Sequence, residues 1–330
     1  MKYIPSLIKL PVLLVLILII QGCGPGTPGS WKDAEIPADM RETFHDLNNQ
    51  FMKAALANNT NEAEKLMTAE LIESGEKLKK LQNIGYYLKT NKYEMLEEYY
   101  VINKYTTNDT VLTKNKTINS HNLVYEGSTE EMYMAYFAPK TGASRQMISL
   151  VYCKVNYGWK LIKISAEPYM YNGKTAPELY EEAKKCFNKG YLVDAYLLIT
   201  LANAAGKPND EWKYLNNDAM LNFYGEVVKV NRETYELPLI IAGVPTKPRV
   251  LRLYTTTLPE GDFPTVCYLS PISLKDTVGV RRENVNIRKV IGNTLKGIDK
   301  DKKYIIYSVF NEEPDGKKML DHIEYTHRLQ

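Results

Sequence analysis

An α+β protein is the fold class this sequence predicts, and three observations carry that expectation. Over residues 38–88 apolar side chains recur at the three-to-four spacing of a helix face. From Tyr93 the period becomes two and holds through closely spaced strand patterns that end near Ile164. After Pro177 the change from helical to strand-like pattern occurs a second time. Helices and strands therefore come in separate blocks with short turns between strands. That arrangement selects antiparallel sheets covered by helices over an alternating, all-parallel fold. The 330 residues suffice for two domains or a little more, and 44% hydrophobic with 25% charged content is ordinary for a globular chain.

The first 23 residues have the layout of an export signal. Lys2 and Lys9 form a positive front, residues 10–20 (LPVLLVLILII) are an unbroken apolar run, and Gly22 precedes Cys23. The run is shorter than the ~20 residues of a spanning helix. Ile20-Gln21-Gly22-Cys23 resembles the lipobox of bacterial lipoproteins. The resemblance implies cleavage after residue 22, lipidation of Cys23 on sulfur, and acylation of its new amino group with palmitate-type chains. Such chains contribute ~0.8 kcal/mol per buried CH₂ and make release from a bilayer slow. The implied location is the bacterial cell envelope, with the membrane as first partner and the leaflet left open. Residues 23–37, Gly/Pro-rich at first and without apolar period, read as a tether that lifts the folded part off the membrane.

Phe44, Leu47, Phe51 and Ala55 form one stripe of a first helix, broken at Asn58-Asn59. Thr60 reads as the cap of a second helix, and Leu71, Leu78, Leu81, Ile84 and Leu88 mark a further helical segment. Strands follow over residues 93–104, around Val111, over 123–125, and over 131–138, 145–155 and 159–164. Residues 139–142 and Asn156-Tyr157-Gly158 read as the turns between the last three. The opening helix with Phe44, Phe51, Ala54 and Ala55, the break at Asn58-Asn59 and the closing strand Tyr157-Gly158-Trp159-Lys160-Leu161-Ile162-Lys163-Ile164 resemble the nuclear-transport-factor-2-like superfamily of cone-shaped α+β domains. The resemblance covers residues 38–171. It implies helices as the cover of a curved sheet, and a cone pocket that His45, Tyr99, Tyr136 and Tyr152 could line.

Residues 175–224 read as a helical hairpin. Ala183, Gly190, Ala195, Ala202 and Pro208 have the spacing of one tetratricopeptide-like unit, and Trp212 and Leu215 look like the start of another. Residues 225–330 read as a second α+β domain. Its expected strands are 226–230, 249–255, 265–269, 303–310 and 318–327, its helix is 285–298, and Glu313-Pro314-Asp315-Gly316 is its last turn.

Little catalytic chemistry is visible. The four histidines have no metal-ligand spacing, and no CxxC, phosphate-binding glycine loop or GxSxG occurs, so no metal, cofactor or catalytic residue is expected. Cys153, Cys186 and Cys267 sit among apolar neighbours and read as buried thiols. Loss of Lys2 and Lys9 with the signal takes the 42 basic residues to 40 against 39 acidic, a balance that argues against nucleic acid as a partner. Residues 281–303 are locally basic and read as the solvated face of a helix. The expectation is a non-enzymatic, membrane-anchored accessory module that binds a small ligand or an envelope protein. An isomerase- or dehydratase-type enzyme in the cone, and a scaffold acting through the hairpin groove, are the alternatives.

Overall fold

A computed structural model describes residues 26–113, 116–140, 145–156, 158–314 and 316–329. The export signal, Cys23 and the first tether residues lie outside them, as do Gly142, Tyr157 and Asp315 of the expected turns. Helices and largely antiparallel sheets make an α+β fold.

The first helix, α1 (Ala38–Leu56), buries Phe44, Asn48, Phe51, Ala54 and Ala55, a single stripe. Asn58 ends it with φ +52°. In α2 (Thr60–Glu64) the cap is Asn59, whose side chain accepts from the Glu62 N–H, and Thr60 is already helical. Thr68 caps α3 (Ala69–Glu73) in the same way. In α4 (Lys77–Thr90), Gly85 allows close contact with α1, because a Cβ there would come within 2.4 Å of the Ala55 carbonyl oxygen.

These helices cover one face of a five-stranded sheet ordered β1-β2-β5-β6-β7. Its strands are β1 (Gly29–Lys32), β2 (Tyr93–Ile102), β5 (Glu131–Pro139), β6 (Gln146–Val155) and β7 (Gly158–Pro168). The tether is therefore shorter than expected. Gly29–Lys32 pairs with β2, Trp31 stacks on Tyr100 with ring centroids 5.5 Å apart, and Ile36 is buried. Strand alternation sends Tyr100, Tyr133, Ile148 and Tyr152 towards the helices, and Tyr99, Met134, Tyr136 and Met147 to the opposite face.

That opposite face is also buried, which corrects the expectation that helices alone cover the sheet. Its cover is a second sheet of three strands, ordered β10-β4-β3, formed by β3 (Asn108–Leu112), β4 (His121–Glu126) and β10 (Trp212–Tyr214). Trp212 and Tyr214 thus belong to a strand paired with Leu123 and His121, not to another helical repeat. Two short strands, β8 (Met170–Tyr171) and β9 (Lys174–Thr175), lead into the hairpin.

The hairpin is α5 (Ala176–Asn188) and α6 (Leu192–Ala204). Thr175 and Glu178 form a capping box at its start, and Gly190 takes φ +72° at its turn. The expected strand 226–230 lies inside α7 (Asn217–Thr234), which buries Met220 and Val227 seven residues apart. β-Branched Val227, Val228 and Val230 imitate a strand there, and packing against α6 overrides them.

The C-terminal sheet has the order β11-β12-β13-β14-β15, with β11 (Leu239–Ile240), β12 (Arg249–Leu258), β13 (Gly261–Leu269), β14 (Tyr304–Phe310) and β15 (Ile323–Arg328). Its β13–β14 pair is parallel, so a crossover is required, and α8 (Thr277–Thr294) supplies it. This helix begins eight residues before the expected 285, because Asp276 caps it by accepting from the Gly279 N–H. Ile287, Ile291 and Leu295 of this stretch share a core with Val193 and Leu197 of α6. Among the described residues no helix is long and apolar enough to cross a membrane.

Candidate functional site

The four expected pocket residues do not line one space. Phe44 lies flat on Tyr133, centroids 4.0 Å apart and planes 7° from parallel, with Trp159 edge-on to it at 4.9 Å. Tyr152 is fully buried on this helical face. Tyr99 and Tyr136 meet on the other face, 6.3 Å apart. His45 sits half-exposed on α1 with Nε2 3.0 Å from Glu98 Oε1.

Glu98 centres the first of two buried polar clusters. It accepts from the Tyr133 hydroxyl at 2.8 Å, while the Asn48 amide donates to that hydroxyl at 2.8 Å. Burial first, and then the Glu98 charge, keep the Tyr133 phenol protonated far above its usual range. Only His45 of this group reaches solvent appreciably, so the cluster works as a brace between α1 and β2.

The second cluster holds the two sheets together. Glu97 sits 2.7 Å from Lys32 Nζ and 3.1 Å from His121 Nε2, and accepts from the Tyr99 hydroxyl at 2.6 Å. The His121 ring lies flat against Trp212. Burial alone would raise the Glu97 carboxyl, but contacts from His121, Lys32 and Tyr99 outweigh it and hold the group down at about 2.

Open space with convergent polar groups lies elsewhere, between the α5–α6 hairpin and the C-terminal sheet. A cleft of about 590 Å³ is walled by α5 and α6 on one side, and by β12, β13 and the loop before β14 on the other. This is the size of a small-molecule site, at the kind of boundary between units where such sites concentrate. Asp194, in the first turn of α6, lies at its base 3.0 Å from Lys302 Nζ. Burial is the main influence on Asp194 and, against the pull of Lys302, pushes its carboxyl up to about 6. Cys186 is half-buried in the wall, and burial raises its thiol. Tyr191 packs on Gly297, whose φ is +93° and where a Cβ would come within 2.4 Å of the tyrosine ring.

The charges of this cleft are unevenly matched. Glu182 is held by Lys174, Asp194 by Lys302, Glu260 by Lys303, and Asp262 by Arg145, while Asp301 has no cation within ion-pair distance among the described residues. Lys185 and Lys189, one turn apart at the end of α5, also line it, and among the described residues neither has a carboxylate within ion-pair distance. A second cleft of about 370 Å³ shares Asn172, Glu260, Asp262 and Phe263 with it. A more apolar groove of about 490 Å³ runs between α6, α7 and β10, lined by Ile199, Trp212, Met220 and Leu221.

Nothing in the sequence pattern marks this cleft as a site. The basic stretch 281–303, expected as a solvated helix face, instead brings Lys300, Lys302 and Lys303 to the cleft from the loop beyond α8. The nearest signal is the density of lysine in 300–303 beside Asp299 and Asp301. No cluster of three or more metal-ligating side chains occurs among the described residues. No family model matches the chain, and no curated protein or solved structure matches it significantly.

Proposed function

We propose that this chain is a non-enzymatic binding module of the bacterial cell envelope, anchored through lipid on Cys23, which takes an anionic small ligand between the hairpin and the C-terminal sheet. The carrying observation is the pair Lys185 and Lys189, free of carboxylate partners on the wall of a cleft whose acidic groups are mostly neutralised from within. A ligand with two or more phosphate or carboxylate oxygens supplies the missing counter-charge, and Tyr191 offers a ring beside it. The Phe44–Tyr133 stack speaks against an isomerase or dehydratase pocket in the cone, because the ring fills the space a substrate would need. Residues 38–171 are, in this proposal, a domain of the nuclear-transport-factor-2-like kind.

Titration calorimetry of the detergent-solubilised lipoprotein, with tripolyphosphate and an oligogalacturonate as separate probes, tests the ligand class. Binding of one of them, weakened about tenfold or ~1.4 kcal/mol by Lys185→Glu with Lys189→Glu, is the expected outcome. Heat from neither probe, or equal binding by the double variant, contradicts it. For the anchor, Cys23→Ala is expected to move the protein from the membrane fraction to the soluble one.

The scaffold reading retains one specific support, the groove where Leu221 and Val124 remain 48% and 41% exposed. Loss of a co-purifying envelope protein on Leu221→Glu, with probe binding intact, would favour it.

A further inference from the structure

The fold begins close to Cys23 in sequence. Gly26 lies against Ile102 at the end of β2, so closely that a Cβ on it would meet the isoleucine Cδ1. Three Cα steps separate Gly26 from Cys23, at most ~11 Å of chain. From Gly29 to Lys32 the chain then pairs antiparallel to β2, with Gly29 opposite Ile102. A lipid on Cys23 would therefore be within that length of chain of one particular end of the first sheet.

We infer that this end of the sheet, with the loop Lys104-Tyr105 at its tip, is the surface the protein lays against the lipid bilayer. The inference rests on the anchor reading above and adds which face meets the membrane. Tyr105 is 65% exposed, and Lys104 Nζ lies 5.2 Å from the centre of its ring. An exposed tyrosine beside a lysine is the composition found at membrane–water boundaries, where the ring enters the headgroup layer and the amine stays wet. The loop is held in place. The Asn103 side chain donates to the Thr129 carbonyl at 2.6 Å and accepts from the Tyr125 hydroxyl at 2.8 Å, and the Gly127 N–H donates to the Thr107 carbonyl at 3.0 Å. Glu126 and Glu130 stand at the same end and are exposed. Attraction to anionic headgroups is therefore not the driving force, and the contact is insensitive to salt.

Nitroxide accessibility tests this on the full lipidated chain in vesicles of phosphatidylethanolamine and phosphatidylglycerol. In a Cys186→Ser background, one label replaces Tyr105 (Tyr105→Cys) and another replaces Met319, which is fully exposed in the C-terminal unit (Met319→Cys). Lys104→Cys serves as a second reporter from the same loop. The expected result is a ratio of oxygen to nickel-chelate collisions several-fold higher at 105 and 104 than at 319, unchanged in high salt. Equal ratios at all three positions on protein that floats with the vesicles would overturn the orientation and leave the anchor standing. Protein that does not float would overturn both.

Discussion

The ring of Phe44 lies parallel to that of Tyr133 at 4.0 Å, between α1 and the middle strand of the first sheet, and both are fully buried. This contact decides that the interior beneath the first helix is core and not pocket. Phe44→Ala removes the stack and the edge contact with Trp159, so it is expected to cost about 3–5 kcal/mol. Urea unfolding measures it. A loss below about 1 kcal/mol would mean that the helix packs differently.

Acid should unlock the two sheets from each other. Glu97 is held at about 2, below the usual carboxylate range, by His121, Lys32 and Tyr99 against the opposing effect of burial. A depressed carboxyl contributes stability that is present above its unfolded pKa and is lost as pH falls towards the folded value. The loss is expected between about pH 4.5 and 2, on the order of 2–3 kcal/mol. Glu97→Gln is expected to remove that part of the pH dependence in denaturant titrations.

At the cleft the sign reverses. The Asp194 carboxyl, raised to about 6 by burial, holds its proton more tightly in the folded chain than in the unfolded one. Its contribution is favourable below the unfolded value near 4 and falls away as pH rises through about 6. Asp194→Asn is expected to flatten unfolding free energy between pH 4 and 6. An unchanged slope would show that Lys302 neutralises the group more fully than its burial indicates.

The turn of the hairpin meets the loop beyond α8 at Gly297. With φ +93° and the Tyr191 ring where a Cβ would stand, Gly297→Ala is strained in backbone and contact alike, and a loss of at least about 2 kcal/mol is expected. Gly225, in α7 with open space around it, is the control, and Gly225→Ala is expected to be neutral or slightly stabilising.

Where apolar residues repeat within one element, the sequence was legible. Phe44, Phe51 and Ala55 mark the buried stripe of α1, and β7 alternates, while β5 and β6 are near-continuous apolar runs of the kind buried on both faces. What could not be read depends on residues far apart. β10 is three residues long and exists because Trp212 and Tyr214 pair with Leu123 and His121 some ninety positions earlier. β1 follows a Gly/Pro run and is defined only by its pairing with β2. The candidate cleft is the extreme case, since its central pair, Asp194 with Lys302, comes from opposite sides of the α7–β13 stretch. Lys302 taken alone is an ordinary surface charge in a polar segment, and Asp194, though set in the apolar run of α6, has nothing near it in sequence that names its partner.

The proposed membrane-attached binding module depends on lipid carried by Cys23. Intact-mass and N-terminal peptide mass spectrometry of protein extracted from membranes tests that most directly. The predicted result is a chain beginning at Cys23, with a diacylglyceryl group on the sulfur and an acyl chain on the amino group. A chain that still carries Met1, or an unmodified thiol at Cys23, would contradict it.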